Sequence, residues 1–124
     1  MEIKPAVIAL AALAQETRLA IFRLLIEAGP EGVSAGRIGE TLEIPGATLS
    51  FHLKELSRAG LISSRQQKQF IYYATDFEAM AELMAFLTKN CCQGMPQKCL
   101  VDVQTALKRC CSPKAKSKSA RSRS

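Results

Sequence analysis

The sequence predicts a mainly α fold with a small β-hairpin wing. Four helical patterns occupy roughly the first 60 residues, two short segments rich in β-branched and aromatic residues follow, and a fifth helical pattern comes after them. The chain has 124 residues, which suits one domain. Hydrophobic residues make up 48% and charged residues 23%, so the composition is that of an ordinary globular protein.

The first two helices are predicted from the apolar pattern of the first 28 residues. Residues 5–13, "PAVIALAAL", are apolar on every side of a helix. Such a helix must be buried, and in a chain this short a dimer interface is a natural place for it. Residues 16–28 predict a second helix, which ends at Gly29-Pro30.

A helix, a tight turn and a second amphipathic helix are predicted next. Ser34 is suited to cap a short helix over residues 35–44, and Pro45-Gly46 then turns the chain. The second of these helices covers residues 46–60 and ends at a glycine, as many helices do. Its core face is formed by Leu49, Leu53 and Leu56, which repeat at helical spacing.

The hairpin and the last helix complete the predicted order. Residues 61–67 and 69–75 predict two strands, with the polar residues 64–69 at the hairpin tip. Residues 76–91 predict a helix capped by Asp76. One stripe of this helix contains Phe77, Met80, Met84, Leu87 and Cys91. A tight turn between helices followed by a hairpin describes a winged helix-turn-helix, in an α+β fold.

The helix over residues 46–60 has the features of a helix that enters a DNA groove. A step of 100° per residue places small and polar residues opposite its leucines, with a basic end. The candidates for DNA contact from this helix are Thr48, Ser50, Phe51, Lys54 and Arg58. Hydroxyls can bond to bases or phosphates, and Phe51 could contact a thymine methyl.

Basic side chains of the helix and the wing are expected to neutralise DNA phosphates. These are Lys54, Arg58, Arg65 and Lys68, the last two being placed at the wing tip, and residues 44–75 have a net charge of +3. The plainer alternative is a solvated face on an ordinary helical domain. His52 lies beside the leucine stripe, and we predict a half-buried packing residue rather than a ligand or base contact.

The chain resembles the ArsR/SmtB family of metalloregulatory winged-helix repressors over about residues 8–90. The resemblance rests on "ETRLAIFRLL" and on the pattern S-x-H-L-x-x-L-x-x-A-G-L-[IV], which extends from Ser50 to Ile62. Phe51 stands where many members carry glutamine, so their base preference does not carry over. The resemblance implies a homodimer with its first and last helices at the interface. It also implies binding of double-stranded operator DNA, an inverted repeat, when metal-free and release when metal binds.

All five cysteines follow residue 90, and three of them fall within nine residues. Gly94 and Pro96 turn the chain and could bring Cys99 back toward Cys91 and Cys92. Three thiolates suit a soft ion of low coordination number, such as trivalent arsenic with three sulfurs in a pyramid, or antimony. The arrangement resembles arsenic-responsive members of the family, whose three thiols lie just after the last helix. The plainer alternative is incidental tail thiols.

The resemblance therefore implies As(III) or Sb(III) as the inducer and a metal site at Cys91, Cys92 and Cys99, with no organic cofactor. A sensor of another soft ion and a thiol redox-sensing repressor remain alternatives, since vicinal cysteines can also oxidise. The role of Cys110 and Cys111 stays open between binding a second ion and having no role.

An enzyme is disfavoured by a single histidine and by the absence of a phosphate-binding glycine-lysine motif in the sequence. A G-x-x-G sequence at residues 36–39 lacks the strand that an RNA-binding KH domain needs before it.

Three segments are expected. Residues 1–92 form the DNA-binding and dimerisation domain, residues 93–111 form a cysteine-containing segment, and residues 112–124 form a disordered tail with five positive and no negative charges. The apolar run near the N-terminus is too short for a bilayer and poorly flanked for a secretory signal. We therefore expect no membrane and no protein substrate as partner, and a cytoplasmic protein, associated with the bacterial nucleoid, whose thiols are reduced.

Overall fold

The computed structural model describes residues 1–90, and these contain five helices and three strands. In chain order they are α1 Ile3–Leu13, α2 Glu16–Ala28, β1 Val33–Ser34, α3 Ala35–Leu42, α4 Gly46–Arg58, β2 Ile62–Gln67, β3 Phe70–Thr75 and α5 Phe77–Leu87. The helix-turn-helix is formed by α3 and α4, and β2 and β3 form the wing. The predicted fold class, mainly α with a hairpin wing, is confirmed.

Three helices begin at side chains that satisfy backbone donors of the first turn. The side-chain oxygens of Gln15, Ser34 and Asp76 each accept a hydrogen bond from the N–H three residues ahead, at 2.9, 3.2 and 3.0 Å. These N–H groups have no partner within the helix itself, so the caps stabilise the starts of α2, α3 and α5. The caps predicted at Ser34 and Asp76 are confirmed.

The core lies where α2, α3 and α4 meet the hairpin. Its largest fully buried side chains are Ile21, Leu25, Ile38, Leu56 and Leu61. Leu49 and Leu53, the other members of the predicted stripe of α4, are 5% and 3% exposed. Gly39 of α3 faces α4 so closely that an added Cβ would lie 3.4 Å from the Leu49 side chain. The small residue therefore permits the close packing of the helix-turn-helix.

The sheet contains one strand more than the sequence predicted. Its order is β1-β3-β2, all antiparallel, and Val33 of β1 pairs with Tyr73 of β3. Gly32, with φ +83°, brings the chain alongside β3 so closely that a Cβ there would lie 2.6 Å from the Tyr73 carbonyl oxygen. A strand of two residues has no sequence period, so only its pairing defines it.

The wing turn is shorter than predicted. Gln67 pairs with Phe70, so Lys68 and Gln69 alone form the turn, with Lys68 at φ +59°. The predicted strands, residues 61–67 and 69–75, agree with β2 and β3 to within one residue, and only the prediction that residues 64–69 form the tip was wrong. Polar residues can lie within a solvent-exposed ribbon because the backbone hydrogen bonds define the strand, and side-chain polarity does not oppose them there.

Helices α1 and α5 differ from their predictions in extent. Helix α1 begins at Ile3, because Pro5 fits a first turn whose N–H groups have no helical partner. It buries only Ala6 and Ala9 within the chain. Its large apolar side chains that remain exposed are Ile3, Val7, Ile8 and Leu10. Helix α5 ends at Leu87 rather than at residue 91, and Leu83, outside the predicted stripe, is its buried residue.

Candidate nucleic-acid interface

Helix α4 has two faces of opposite character. Leu49, Leu53 and Leu56 are at most 5% exposed and anchor the helix in the core. The predicted contact residues Thr48, Ser50, Phe51, Lys54 and Arg58 are all exposed. A helix held from one side by buried leucines presents its other side at a fixed orientation. The structure therefore brings the predicted residues of this helix onto one accessible surface.

Phe51 is the largest side chain on that surface. It is 55% exposed, and its ring meets the ring of His52 edge to face, with centroids 5.5 Å apart. This contact is of the kind that aromatic pairs favour, and it gives the exposed ring a defined neighbour. The small hydroxyl residues Thr48 and Ser50 lie nearby in the sequence and leave room for a base edge to approach.

The two basic residues of α4 differ in their surroundings. Lys54 is exposed, whereas Arg58 forms an ion pair with Glu55 one turn back, 3.4 Å between nitrogen and oxygen. The Arg58 side chain is still 68% exposed. An exposed pair of this kind contributes little to stability, so the guanidinium can exchange the carboxylate for a phosphate.

The two basic residues of the wing are not equivalent. Lys68 lies in the turn and is exposed. Arg65, expected at the tip, lies within β2, and that expectation was wrong because the strand continues to Gln67. Its Nη2 donates to the Glu31 carbonyl oxygen at 2.9 Å, and its guanidinium carbon lies 5.2 Å from the centre of the Tyr72 ring. Arg65 therefore ties the wing to the loop before β1.

His52 is buried more deeply than predicted, at 8% exposure, and it has a polar partner that sequence reasoning missed. Its Nδ1 lies 3.2 Å from Nη1 of Arg18 on α2. Burial lowers the pKa of His52 below its usual value, and the nearby Arg18 guanidinium lowers it further against an opposing effect of Glu55. The only sequence signal was a histidine next to a leucine stripe, which does not identify the partner.

Comparison with known proteins identifies the family to which this chain belongs. A family of helix-turn-helix domains matches residues 13–65, which include α2, α3, α4 and most of β2. The transcriptional activator HlyU of Vibrio cholerae is 37% identical over 82 residues, which is 64% of this chain and 73% of HlyU. The chain belongs to the ArsR/SmtB family of winged-helix transcription regulators.

Solved structures similar to this family member have the same fold. That of HlyU from Vibrio cholerae has 33% identity and a TM-score of 0.57, covering 74% of this chain and 99% of that one. A possible transcriptional regulator for arsenical resistance has 28% identity and a TM-score of 0.57, covering 64% and 79%. The homodimeric winged helix-turn-helix domain of Mb0332 from Mycobacterium bovis, at 24% identity and TM-score 0.58, covers 86% and 84% and supports the fold alone.

Membership in the ArsR/SmtB family makes the chain a DNA-binding transcription regulator, which is not a class of enzyme. In residues 1–90 no helix alone is long and apolar enough to cross a bilayer, and only α1 and α2 together, bent by 99°, reach that length and composition.

The predicted metal ligands Cys91, Cys92 and Cys99 lie outside the described residues, as do Cys110 and Cys111. Within residues 1–90 no group of three or more His, Cys, Asp and Glu side chains is placed to hold a metal ion. In the sequence the cysteines begin four residues after the end of α5.

Proposed function

We propose that the protein is a homodimeric repressor that binds an inverted-repeat operator when metal-free and releases it when As(III) or Sb(III) binds. In this proposal α4 enters the major groove, and Thr48, Ser50 and Phe51 face the bases. Lys54, Arg58 and Lys68 neutralise the phosphates, and Arg65 of the wing adds a further positive charge near the phosphates. The observation that carries the proposal is the exposed polar face of α4, set opposite three buried leucines.

Dimerisation is supported by the apolar residues that remain exposed on α1. Val7 and Ile8 are 56% and 55% exposed, and Ile3 is 66% exposed. Adjacent apolar side chains of this kind mark protein contacts. On α5, Phe77 and Leu87 are also exposed. The similar domain from Mycobacterium bovis is homodimeric, which agrees with a two-fold arrangement that matches an inverted-repeat operator.

Inducer binding is supported by the chemistry of the sequence after α5. Cys91, Cys92 and Cys99 supply three soft donors on a short segment, and such donors favour a thiophilic ion. A similar solved structure is that of a possible regulator for arsenical resistance. Gathering the three sulfurs around one ion would constrain the chain directly after α5. A change in the separation of two α4 helices would then weaken binding to both half-sites.

A second candidate function is thiol redox sensing. Vicinal Cys91-Cys92 with a nearby third thiol could form a disulfide in place of a metal complex. One of the similar solved structures is that of reduced HlyU from Vibrio cholerae. Both candidates use the same cysteines and therefore need a test that supplies ion and oxidant separately.

The segments follow from these roles. Residues 1–92 would bind DNA and dimerise, residues 93–111 would carry the remaining thiols, and the basic residues 112–124 would add affinity without sequence preference. The proposal requires reduced thiols and therefore a reducing compartment such as the cytoplasm.

Repression is part of the proposal, whereas HlyU of Vibrio cholerae is named as a transcriptional activator. A reporter driven from the operator should rise when the regulator is deleted.

The sensor is tested by fluorescence anisotropy of operator DNA in the presence of a reductant. Arsenite should release DNA from the wild-type chain and not from Cys99→Ser, which should still bind the operator because the proposal gives this thiol no part in DNA contact. The matched control is Cys110→Ser with Cys111→Ser, which should release normally. If Cys99→Ser releases at the wild-type arsenite concentration, the three-thiol site is wrong. If arsenite has no effect under reductant and peroxide releases the wild-type chain in a parallel titration without reductant, redox sensing replaces it.

A further inference from the structure

Arg18 connects three helices through its side chain. It lies on α2, its Nε donates to the Ala12 carbonyl oxygen of α1 at 2.7 Å, and its Nη1 lies 3.2 Å from Nδ1 of His52 on α4. Bonds from one planar guanidinium to two partners fix the relative positions of those partners more strictly than a single contact would. Arg18 is therefore a link between the last turn of α1 and the middle of α4.

The His52 ring is held in one protonation state by this link. A guanidinium can only donate hydrogen bonds, so Nδ1 must accept and the ring proton must sit on Nε2. The charged groups that act on the ring are Arg18 from α2 and Glu55 from its own helix, and residues 5–14 at the facing end of α1 include no charged side chain. A neutral, buried and hydrogen-bonded ring has little freedom to turn.

The link continues to the surface that faces DNA. The ring of Phe51 stands against the His52 ring at 5.5 Å between centroids, with an angle of 63° between planes. Phe51 is the largest exposed side chain of α4, and its only described ring contact in residues 1–90 is His52. An ordered series of contacts therefore extends from the Ala12 carbonyl, through Arg18 and His52, to the phenylalanine of the contact face.

Packing between α1 and α4 leaves space beside this link. A surface groove of about 280 Å³ lies at the edge of their contact, with Ile8 and Ala12 on one side and Glu55 and Arg58 on the other. Arg18 also lines it. Side chains do not fill this edge of the contact between α1 and α4, so the polar link contributes to the alignment of the two helices there.

We propose that Arg18 and His52 are positioning residues that align the DNA-contacting face of α4, and Phe51 in particular, with helix α1. The link acts on sequence selectivity more than on general affinity, because it sets where a base-facing ring lies and adds no charge to the phosphate contacts. This inference rests on the contact face proposed above and adds a determinant that does not itself touch DNA.

The experiment measures binding to two duplexes of equal length by fluorescence anisotropy. One duplex is the inverted repeat that the wild-type chain selects from a random library, and the other is a scrambled version of it. Arg18→Lys keeps the charge but replaces the two fixed donor nitrogens that reach Ala12 and His52 with a single ammonium on a flexible stem. His52→Leu removes the acceptor at similar volume. Each should weaken binding to the selected duplex about fivefold or more, the usual size of a coupling effect, and change binding to the scrambled duplex by less than about twofold.

Two further variants separate positioning from general stability. In His52→Asn the side-chain oxygen can accept near the place of Nδ1, so it should recover most of the selectivity that His52→Leu loses. The double variant Arg18→Lys with His52→Leu should be no worse than the worse single variant, since both remove the same link. The matched control Arg23→Lys, whose exposed side chain pairs only with Glu27 among the described salt bridges, should behave as wild type.

The proposal is overturned if both duplexes lose affinity in proportion, if the two single effects add, or if selectivity does not change. Urea unfolding of every variant shows whether a loss reflects a smaller folded fraction, which would affect both duplexes equally. If His52→Leu does not fold, Arg18→Lys decides by its selectivity ratio. If Phe51→Gln on the same duplexes also has no effect, the proposed contact face fails; if Phe51→Gln changes selectivity and Arg18→Lys does not, only the link fails.

Discussion

Helices α1 and α4 both have a covered and an uncovered face in the described chain, and their uncovered faces differ in chemistry. Helix α4 buries Leu49, Leu53 and Leu56 and exposes hydroxyl and basic side chains around one phenylalanine. Helix α1 buries only two alanines and exposes larger apolar side chains such as Val7 and Ile8. The larger aliphatic side chains are thus buried on α4 and exposed on α1.

The difference indicates what each surface is suited to contact. A polar and basic face is stable in water and can exchange water for phosphates and base edges. A face of isoleucine and valine is better covered by another apolar surface. The same small fold can therefore use one helix for DNA and another for a second copy of the chain, and substitutions on each helix should have separate effects.

The largest effect is expected for Val7→Glu. Val7 is 56% exposed, so the change should leave the folded chain intact while placing a charge in the proposed dimer contact. Loss of the dimer should weaken operator binding by about 10²–10⁴-fold, because the two half-sites would no longer be bound together. Analytical ultracentrifugation and anisotropy measure the two quantities.

The control for this change is Leu19→Glu, which introduces the same charge on α2 at a leucine that is 46% exposed. It should remain dimeric and bind the operator. A dimeric Val7→Glu protein with wild-type operator affinity would show that α1 does not form the interface.

The next effect concerns the covered face of α4. Leu56→Ala should lower the free energy of unfolding by about 2–5 kcal/mol, because it leaves a cavity at a fully buried position. Phe51→Ala, on the opposite face of the same helix, should stay within about 0.5 kcal/mol of wild type. Urea denaturation measures both. Equal losses would mean that Phe51 contributes to the core and is not held available for DNA.

Phe51→Gln tests base selection by the uncovered face of α4. It should change relative affinities among operator variants by about 1–3 kcal/mol per affected base pair, since a ring that contacts a methyl group is replaced by a hydrogen-bonding amide. Anisotropy with single-base-pair operator variants measures this. If every variant binds as it does to wild type, the assigned face is wrong.

A smaller effect is expected when one positive charge is removed from the wing. Lys68→Ala should weaken specific and random DNA by similar factors and reduce the slope of log affinity against log salt by about 0.9, the effect of one phosphate contact. Lys4→Ala removes the same charge from α1 and should leave the slope unchanged. Equal slopes for Lys68→Ala and wild type would exclude Lys68 from the phosphate contacts.

The smallest effect is expected from His52, between the two helices. Because its pKa in the folded chain lies below its ordinary value of about 6.5, the folded state binds fewer protons than the unfolded state. The contribution of neutral His52 to stability is therefore complete above about pH 6.5 and is lost as the pH falls through its folded pKa. Urea unfolding against pH should show this loss for wild type and a smaller one for His52→Asn. Identical pH profiles would mean that His52 does not titrate with folding.

The sequence was a better guide to α4 than to the wing. Three leucines at helical spacing predicted the buried face, and the residues between them predicted the exposed face, because a helix links spacing to direction without further information. The hairpin has no such rule for its turn. The predicted strands nearly match β2 and β3, but the polar residues 64–69 also suggested a longer tip, and only the pairing of Gln67 with Phe70 defined the turn.

The sequence by itself determined the order of the five helices and the hairpin, the buried and exposed sides of α4, and the clustering of all five cysteines after residue 90. These features depend on local periods and composition. The tertiary structure decided that Arg65 holds the wing to Glu31 and that Arg18 joins Ala12 to His52. Arg65 and Glu31 are 34 residues apart in the sequence, and so are Arg18 and His52. No local pattern specifies which distant group a guanidinium will contact, because that depends on how the helices and strands pack.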